Sequence, residues 1–186
     1  MFPSNTALPA SVAELRRESA FGAEDQVVAL FDELRVPLLR YLAGFPLSPQ
    51  DSEDAIQEAF LALFQLLHRG GASHPNLRGW LFRTSHNLAL KKRAQARKDS
   101  PGAETAAEDR AVDPAPNPEA QFAFQQTQQR LQSVVRALPE QSRWCLYLRA
   151  EGLRYREIAE VLDISLGSVS LCLERALTNI ARAAER

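Results

Sequence analysis

The sequence is short of the residues that usually carry enzyme chemistry: two cysteines, three histidines and eight glycines in 186 residues. Cys145 and Cys172 are far apart in the chain and belong to no ligand-spaced cluster, so they read as buried, reduced thiols of a cytosolic protein. His68, His74 and His86 have no metal-ligand spacing either. No glycine-rich phosphate loop, serine nucleophile elbow or His-Glu-x-x-His is present. Carboxylates scattered at helix starts read as caps rather than acid–base pairs. The expectation is a protein that is not an enzyme and uses no metal or cofactor. No apolar run approaches the ~20 residues that span a bilayer. The first residues, "MFPSNTALPASVAELRRESA", lack the basic start and apolar block of a secretory signal. A soluble cytoplasmic protein without membrane insertion is expected.

Charge, by contrast, is abundant and segregated. The formal net charge is only −1. Yet residues 1–75 hold 5 basic and 10 acidic side chains, residues 76–98 hold 7 basic and none acidic, and residues 99–119 hold 1 basic and 6 acidic. Local fields, not averages, attract phosphate. The pattern favours a polyanion at one site.

Periodicity predicts an all-α chain of two small domains. Residues 1–24 form an uninterpreted N-terminal extension. In 25–98, Val27, Leu30, Phe31, Leu34, Leu38 and Tyr41 recur at helical steps, with Pro37 expected to kink or interrupt the helix. A second helix is capped by Ser48, opens on Pro49, buries Ile56, Phe60, Leu63 and Leu67, and ends at Gly70-Gly71. A third runs from about Leu77 to Lys98. Residues 99–120 carry four prolines, no aromatics and net acidity, and read as an extended, mobile linker. In 121–186 four helices are expected: one spaced by Phe124, Leu131, Val134, Val135 and Leu138, one from Pro139 to Gly152, then "YREIAEVL" and "LGSVSLCLERALTNIARAAER".

Three stretches carry function. Ile158, Leu162, Ile164, Val169 and Leu173 have the spacing of a helix-turn-helix core, with Asp163 in a positive-φ turn and Ser165 as cap. A plain helical hairpin would share that spacing. "NLRGWLFRTSHNLALKKRAQARK" joins the seven cations to Trp80, Phe82 and a polar Thr84–Asn87 patch. Cations neutralise phosphates and aromatic faces stack on unpaired bases, although a solvated basic face is the bland alternative. In "DSEDAIQEAFLALF" the outward positions are Asp54, Gln57, Glu58, Leu61 and Gln65, a solvated acidic face in which Leu61 hints at protein docking.

These stretches, in this order, resemble a bacterial RNA polymerase sigma factor of the extracytoplasmic-function (ECF) group, over about residues 25–98 and 121–184. Ser52-Glu53-Asp54 and Gln57-Glu58-Ala59-Phe60 are similar to the family's polymerase-docking helix. Trp80, Leu81, Asn87 and the trailing basic run match its −10-reading helix, with His86 in place of a usual arginine. Residues from Leu138 to Leu177 resemble its −35-reading domain. The resemblance implies a detachable specificity subunit of the RNA polymerase core that binds promoter DNA and assists melting. Asp54, Gln57, Glu58 and Leu61 would dock on the beta-prime clamp helices, with the beta flap as a further contact. Trp80, Arg83, Asn87, Lys91, Lys92 and Arg93 would serve the −10 element, with flipped bases near Asn87 and the loop before Trp80. Ser165, Ser168, Ser170, Leu171 and Arg175 would face the −35 element. An anti-sigma factor is a further partner that the family allows.

The recognition helix departs from the family, which often has Lys and Arg at the positions of Ser170 and Cys172. Leu171 lies about 200° from Val169 on a helical wheel, hence outward, where a thymine methyl would suit it. Two other readings stay open. One is a helix-turn-helix regulator acting without polymerase docking; the other is a sigma-like protein that only titrates partners.

Overall fold

The computed structural model describes the backbone of residues 12–69, 76–99 and 118–184, and the side chains of 22–69, 76–98 and 128–183. Within these residues every regular element is a helix: α1 (Val12–Leu42), α2 (Pro49–His68), α3 (Leu77–Asp99), α4 (Pro118–Ala137), α5 (Glu140–Ala150), α6 (Tyr155–Leu162) and α7 (Leu166–Ala184). The expected all-α class is observed. Most of the linker, the Gly70-Gly71 stop and the first eleven residues lie outside the described residues.

Of the two expected effects of Pro37, a kink or an interruption, the interruption does not occur: α1 runs through it. An interior proline costs about 3 kcal/mol of helix stability. Leu34, Leu38, Tyr41 and Leu42 around it are fully buried, and each such side chain contributes about 1.5–3 kcal/mol when removed from water. Packing therefore outweighs propensity. Ser48 starts α2 as expected: its Oγ accepts from the Asp51 N–H at 3.0 Å, with Pro49 as first helical residue. Ile56, Phe60, Leu63 and Leu67 face inward, and Phe60 meets Phe31 of α1 edge-on. Helices α1, α2 and α3 form the first bundle.

Helices α4 to α7 form the second bundle. Helix α4 starts at Pro118, a little before the expected boundary, and Pro139 precedes α5 as its N-cap instead of entering its first turn. Gly152 takes φ 89° just after α5, a conformation that favours glycine. Asp163 takes φ 53° in the turn between α6 and α7, as the helix-turn-helix reading requires. Ser165 Oγ accepts from the Ser168 N–H at 3.1 Å and so caps α7. Cys145 of α5 and Cys172 of α7, distant in sequence, meet in this core as free thiols. Burial, then the neighbouring Cys172, pushes the Cys145 thiol up to about 12.

The two bundles are packed on each other. Helix α6 lies along α3, and α5 touches α1. Nothing in the sequence reading anticipated this closure.

Candidate nucleic-acid interface

The outward face of α2 carries Gln57, Glu58 and Leu61 in solvent and Asp54 half-buried. Leu61 is 58% exposed, a large apolar group on an otherwise polar face. Lys92 of α3 reaches this face, its Nζ 3.4 Å from Glu58 Oε1 and 3.8 Å from Asp54 Oδ2. Lys92 thus joins the acidic face of α2 to the basic helix. Its ammonium is paired here with both carboxylates.

On α3, Arg83, Asn87 and Lys91 are exposed and Trp80 is half-buried. The expected polar and aromatic patch divides differently from the sequence reading. Phe82, Ser85 and His86 are buried, so neither Phe82 nor His86 is presented to a nucleic acid here. The physical reason is helical spacing: Phe82, Ser85, His86 and Ala89 share one buried face, on which Phe82 and His86 meet Tyr41 of α1. That signal was legible in the 3- and 4-residue steps.

His86 sits in an aromatic cage. Its Nδ1 lies 2.7 Å from Tyr41 Oη, and Phe45 and Trp144 present their rings edgewise at 5.5 and 4.9 Å. Burial lowers its pKa from 6.5 to about 4, so the ring is neutral at physiological pH. Burial, with a smaller contribution from Cys145, raises the Tyr41 hydroxyl well above its usual value. With Tyr41 donating, Nδ1 is the acceptor and the imidazole proton resides on Nε2. A cation could not occupy this cage without losing its hydration. That explains how histidine is accommodated where the resemblance would place an arginine.

Trp144 comes from the other bundle and stacks on Phe45 at 5.3 Å, with the ring planes only 14° apart. Around this apolar centre runs a polar rim. Arg40 holds Glu151 with two hydrogen bonds of 2.8 Å, from Nε and Nη2. Arg78 donates to the Glu151 carbonyl at 2.6 Å and to Glu33 at 3.1 Å. Asn76 donates to Glu157 at 2.7 Å, while Arg93 pairs with Glu140. The basic helix thus meets the Glu140 carboxylate and the Glu151 carbonyl of the second bundle, and Asn76 just before it meets the Glu157 carboxylate. Sequence reasoning missed Phe45, Asn76, Glu140, Trp144 and Glu157, because pairings between bundles leave no periodic trace.

On α7, Ser170, Leu171 and Arg175 are exposed, Leu171 at 46%. Its outward orientation agrees with the helical-wheel expectation. Ser165 and Ser168 are engaged locally, their hydroxyls 2.9 Å apart. Among the described residues no His/Cys/Asp/Glu group is arranged to hold a metal, and no helix is long and apolar enough to cross a membrane.

Comparison with known proteins gives this arrangement its context. The model of Sigma-70 region 2 matches residues 30–99 and that of Sigma-70, region 4 matches residues 128–180. The ECF RNA polymerase sigma-E factor of Escherichia coli (strain K12) is 31% identical over 136 residues, 68% of this chain and 70% of that one. The RNA polymerase sigma-H factor of Pseudomonas aeruginosa is 28% identical over 156 residues, 78% and 79% of the two chains. The solved structure of CnrH in complex with the cytosolic domain of CnrY superposes with a TM-score of 0.59 at 22% identity, covering 92% of this chain and 95% of that one. Its likeness shows the fold. With both sigma regions present in order and a sigma-E relative matched over most of its length, the chain belongs to the ECF group of RNA polymerase sigma factors.

Proposed function

We propose that this initiation factor, which joins the RNA polymerase core to promoter DNA, divides its work among three helices. The outward face of α2, with Asp54, Gln57, Glu58 and Leu61, docks on the polymerase clamp. Trp80, Arg83, Asn87, Lys91, Lys92 and Arg93 serve the melted −10 strand, Arg83 and Lys91 as the exposed cations among them. The −35 element is read by Ser165, Ser168, Ser170, Leu171 and Arg175, with Leu171 meeting a thymine methyl. The protein acts by positioning, without catalysing a reaction of its own, and works in the bacterial cytoplasm. A protein comparable to the cytosolic domain of CnrY, which CnrH binds in its solved structure, is the proposed regulatory partner.

The observation that carries this reading is the exposed Leu61 on a face otherwise made of Gln57 and Glu58. A regulator acting without polymerase has no use for such a face. Reconstitution with purified core polymerase and a promoter library tests it. Co-elution followed by sequence-selective initiation is expected, and DNA binding without co-elution would favour the regulator reading.

A further inference from the structure

We propose that a cleft between α4 and α7 binds a small phosphorylated metabolite with free hydroxyls, of the sugar-phosphate or nucleotide class. The two helices pack on each other in the second bundle, and the cleft between them has a volume of about 480 Å³. That lies within the roughly 300–1,000 Å³ of small-molecule sites. Arg130, Ser133 and Val134 line it from α4, and Asn179, Arg182 and Ala183 from α7. On each helix these are positions i, i+3 and i+4 in some order of cation and short side chain, hence one face. The short residues leave the hollow, and one long cation stands beside it on either helix.

The chemistry of the lining selects the ligand. No carboxylate lines the cleft, and neither Arg130 nor Arg182 has an ion pair among the described residues. Arg40, Arg78 and Arg93, by contrast, are each neutralised by a glutamate. Two uncompensated cations across one cleft attract a dianion, and the planar guanidinium fork matches phosphate oxygens two at a time. Ser133 adds a second preference. Its hydroxyl donates to the Arg130 carbonyl at 2.7 Å, which leaves its oxygen to accept. A bare phosphate dianion offers no proton to that oxygen, whereas a sugar hydroxyl does. Asn179 can donate or accept through its amide, and Val134 and Ala183 give the carbon skeleton an apolar wall. The site is clear of the proposed promoter-reading residues, since Arg182 lies about two turns beyond Arg175 on α7. Occupancy ties α4 to α7 and stabilises the second bundle by mass action.

The test is calorimetric titration of the full-length chain with ribose 5-phosphate, adenosine monophosphate, inorganic phosphate and adenosine. The first two separate a sugar-phosphate source from a nucleotide source, and the last two separate the anion from the hydroxyls. One or both organic phosphates should bind at least about fivefold more tightly than inorganic phosphate, as one added hydrogen bond allows, and adenosine should not bind. Arg130→Gln and Arg182→Gln should each weaken the organic phosphate about tenfold, the loss of one charge-assisted contact. Ser133→Ala should remove its advantage over inorganic phosphate. Ala183→Leu should fill the cleft and block binding without altering charge. Arg156→Gln, exposed on α6, is the charge control and should leave binding unchanged. The ligand should also raise the melting temperature of the wild type and not that of Ala183→Leu. No binding of either organic phosphate, binding indifferent to the arginine variants or to Ala183→Leu, or an equal loss with Arg156→Gln would overturn the site. Inorganic phosphate bound as tightly as the organic probes would reduce it to a simple anion contact and overturn the metabolite reading. Displacement of the ligand by duplex DNA of unrelated sequence would assign the cleft to the DNA backbone and overturn it as well.

Discussion

Asn76 and Glu157 stand 81 positions apart, yet Asn76 Nδ2 donates to Glu157 Oε1 over 2.7 Å. Each already holds the start of its own helix, Asn76 from just before α3 and Glu157 from inside the first turn of α6. Asn76 Oδ1 holds the Gly79 N–H at the start of α3, and Glu157 Oε2 holds the Arg154 N–H at the start of α6, at 2.6 Å. Two local devices that would exist in isolated helices are thus joined into one contact between bundles.

Their coupling is measurable. Asn76→Ala and Glu157→Ala should each lower stability by about 1 kcal/mol through the lost cap. The double variant should lose less than the sum, by about 0.5–1 kcal/mol, as expected for residues in contact. Urea unfolding of the four chains checks this; strict additivity would mean that the caps act independently.

Acid should destabilise the closed protein through His86. Its folded pKa of about 4 lies below the ordinary 6.5, so between these values the unfolded chain binds more protons. The stability gained by keeping the ring neutral is therefore complete above about pH 6.5 and declines as pH falls toward 4. At pH 5 the loss relative to pH 7 should be about 2 kcal/mol. His86→Gln should flatten this part of the profile in urea titrations, and an unchanged slope would assign the acid sensitivity to other groups.

On α2, Leu61→Glu should weaken binding to core polymerase while leaving the circular dichroism of the helices unchanged, since Leu61 faces solvent. Gln57→Ala should act in the same direction. Unaltered co-elution of both variants would remove this face from the interface.

Reversal of Lys91 and Arg93 to Glu should abolish open-complex formation and reduce the salt dependence of promoter binding by about 2 in log–log slope. Permanganate footprinting reads the bubble directly. Persistence of the bubble would make this a solvated basic face.

On α7, Leu171→Ala should weaken binding a few-fold, about 1 kcal/mol, and narrow the difference between thymine and uracil at its contact. Arg175→Ala should weaken all sequences about equally, as a phosphate contact does. Indifference of the intact protein to uracil at every −35 position would end the methyl reading.

Most of this fold was legible because helices announce themselves locally. The Ser48 and Ser165 caps, the αL turn at Asp163 and the inward stripe of α2 follow from short-range spacing alone. Two failures share a cause. Pro37 was expected to kink or interrupt α1, and Phe82 and His86 were placed in a patch facing nucleic acid although their spacing with Ser85 and Ala89 marks one face, because neither reading knew what would pack beside it. Burial by Leu34 and Leu38 overrides the proline, and the cage of Tyr41, Phe45 and Trp144 claims the histidine. Cys145 and Cys172 show the same limit, since sequence distance does not measure their contact across α5 and α7.

Gly44 leaves a mark that can be sought in other organisms' chains. Its lack of a side chain makes room for an aromatic ring from the far bundle, so the sizes of the residues at positions 44 and 147 should vary together through evolution. Descendants that close in this way should keep glycine opposite a ring. Those that acquired a larger residue at 44 should carry a smaller one at 147, or show the two positions drifting independently where closure has been abandoned. The pair would then record, lineage by lineage, where the two bundles still meet at this point.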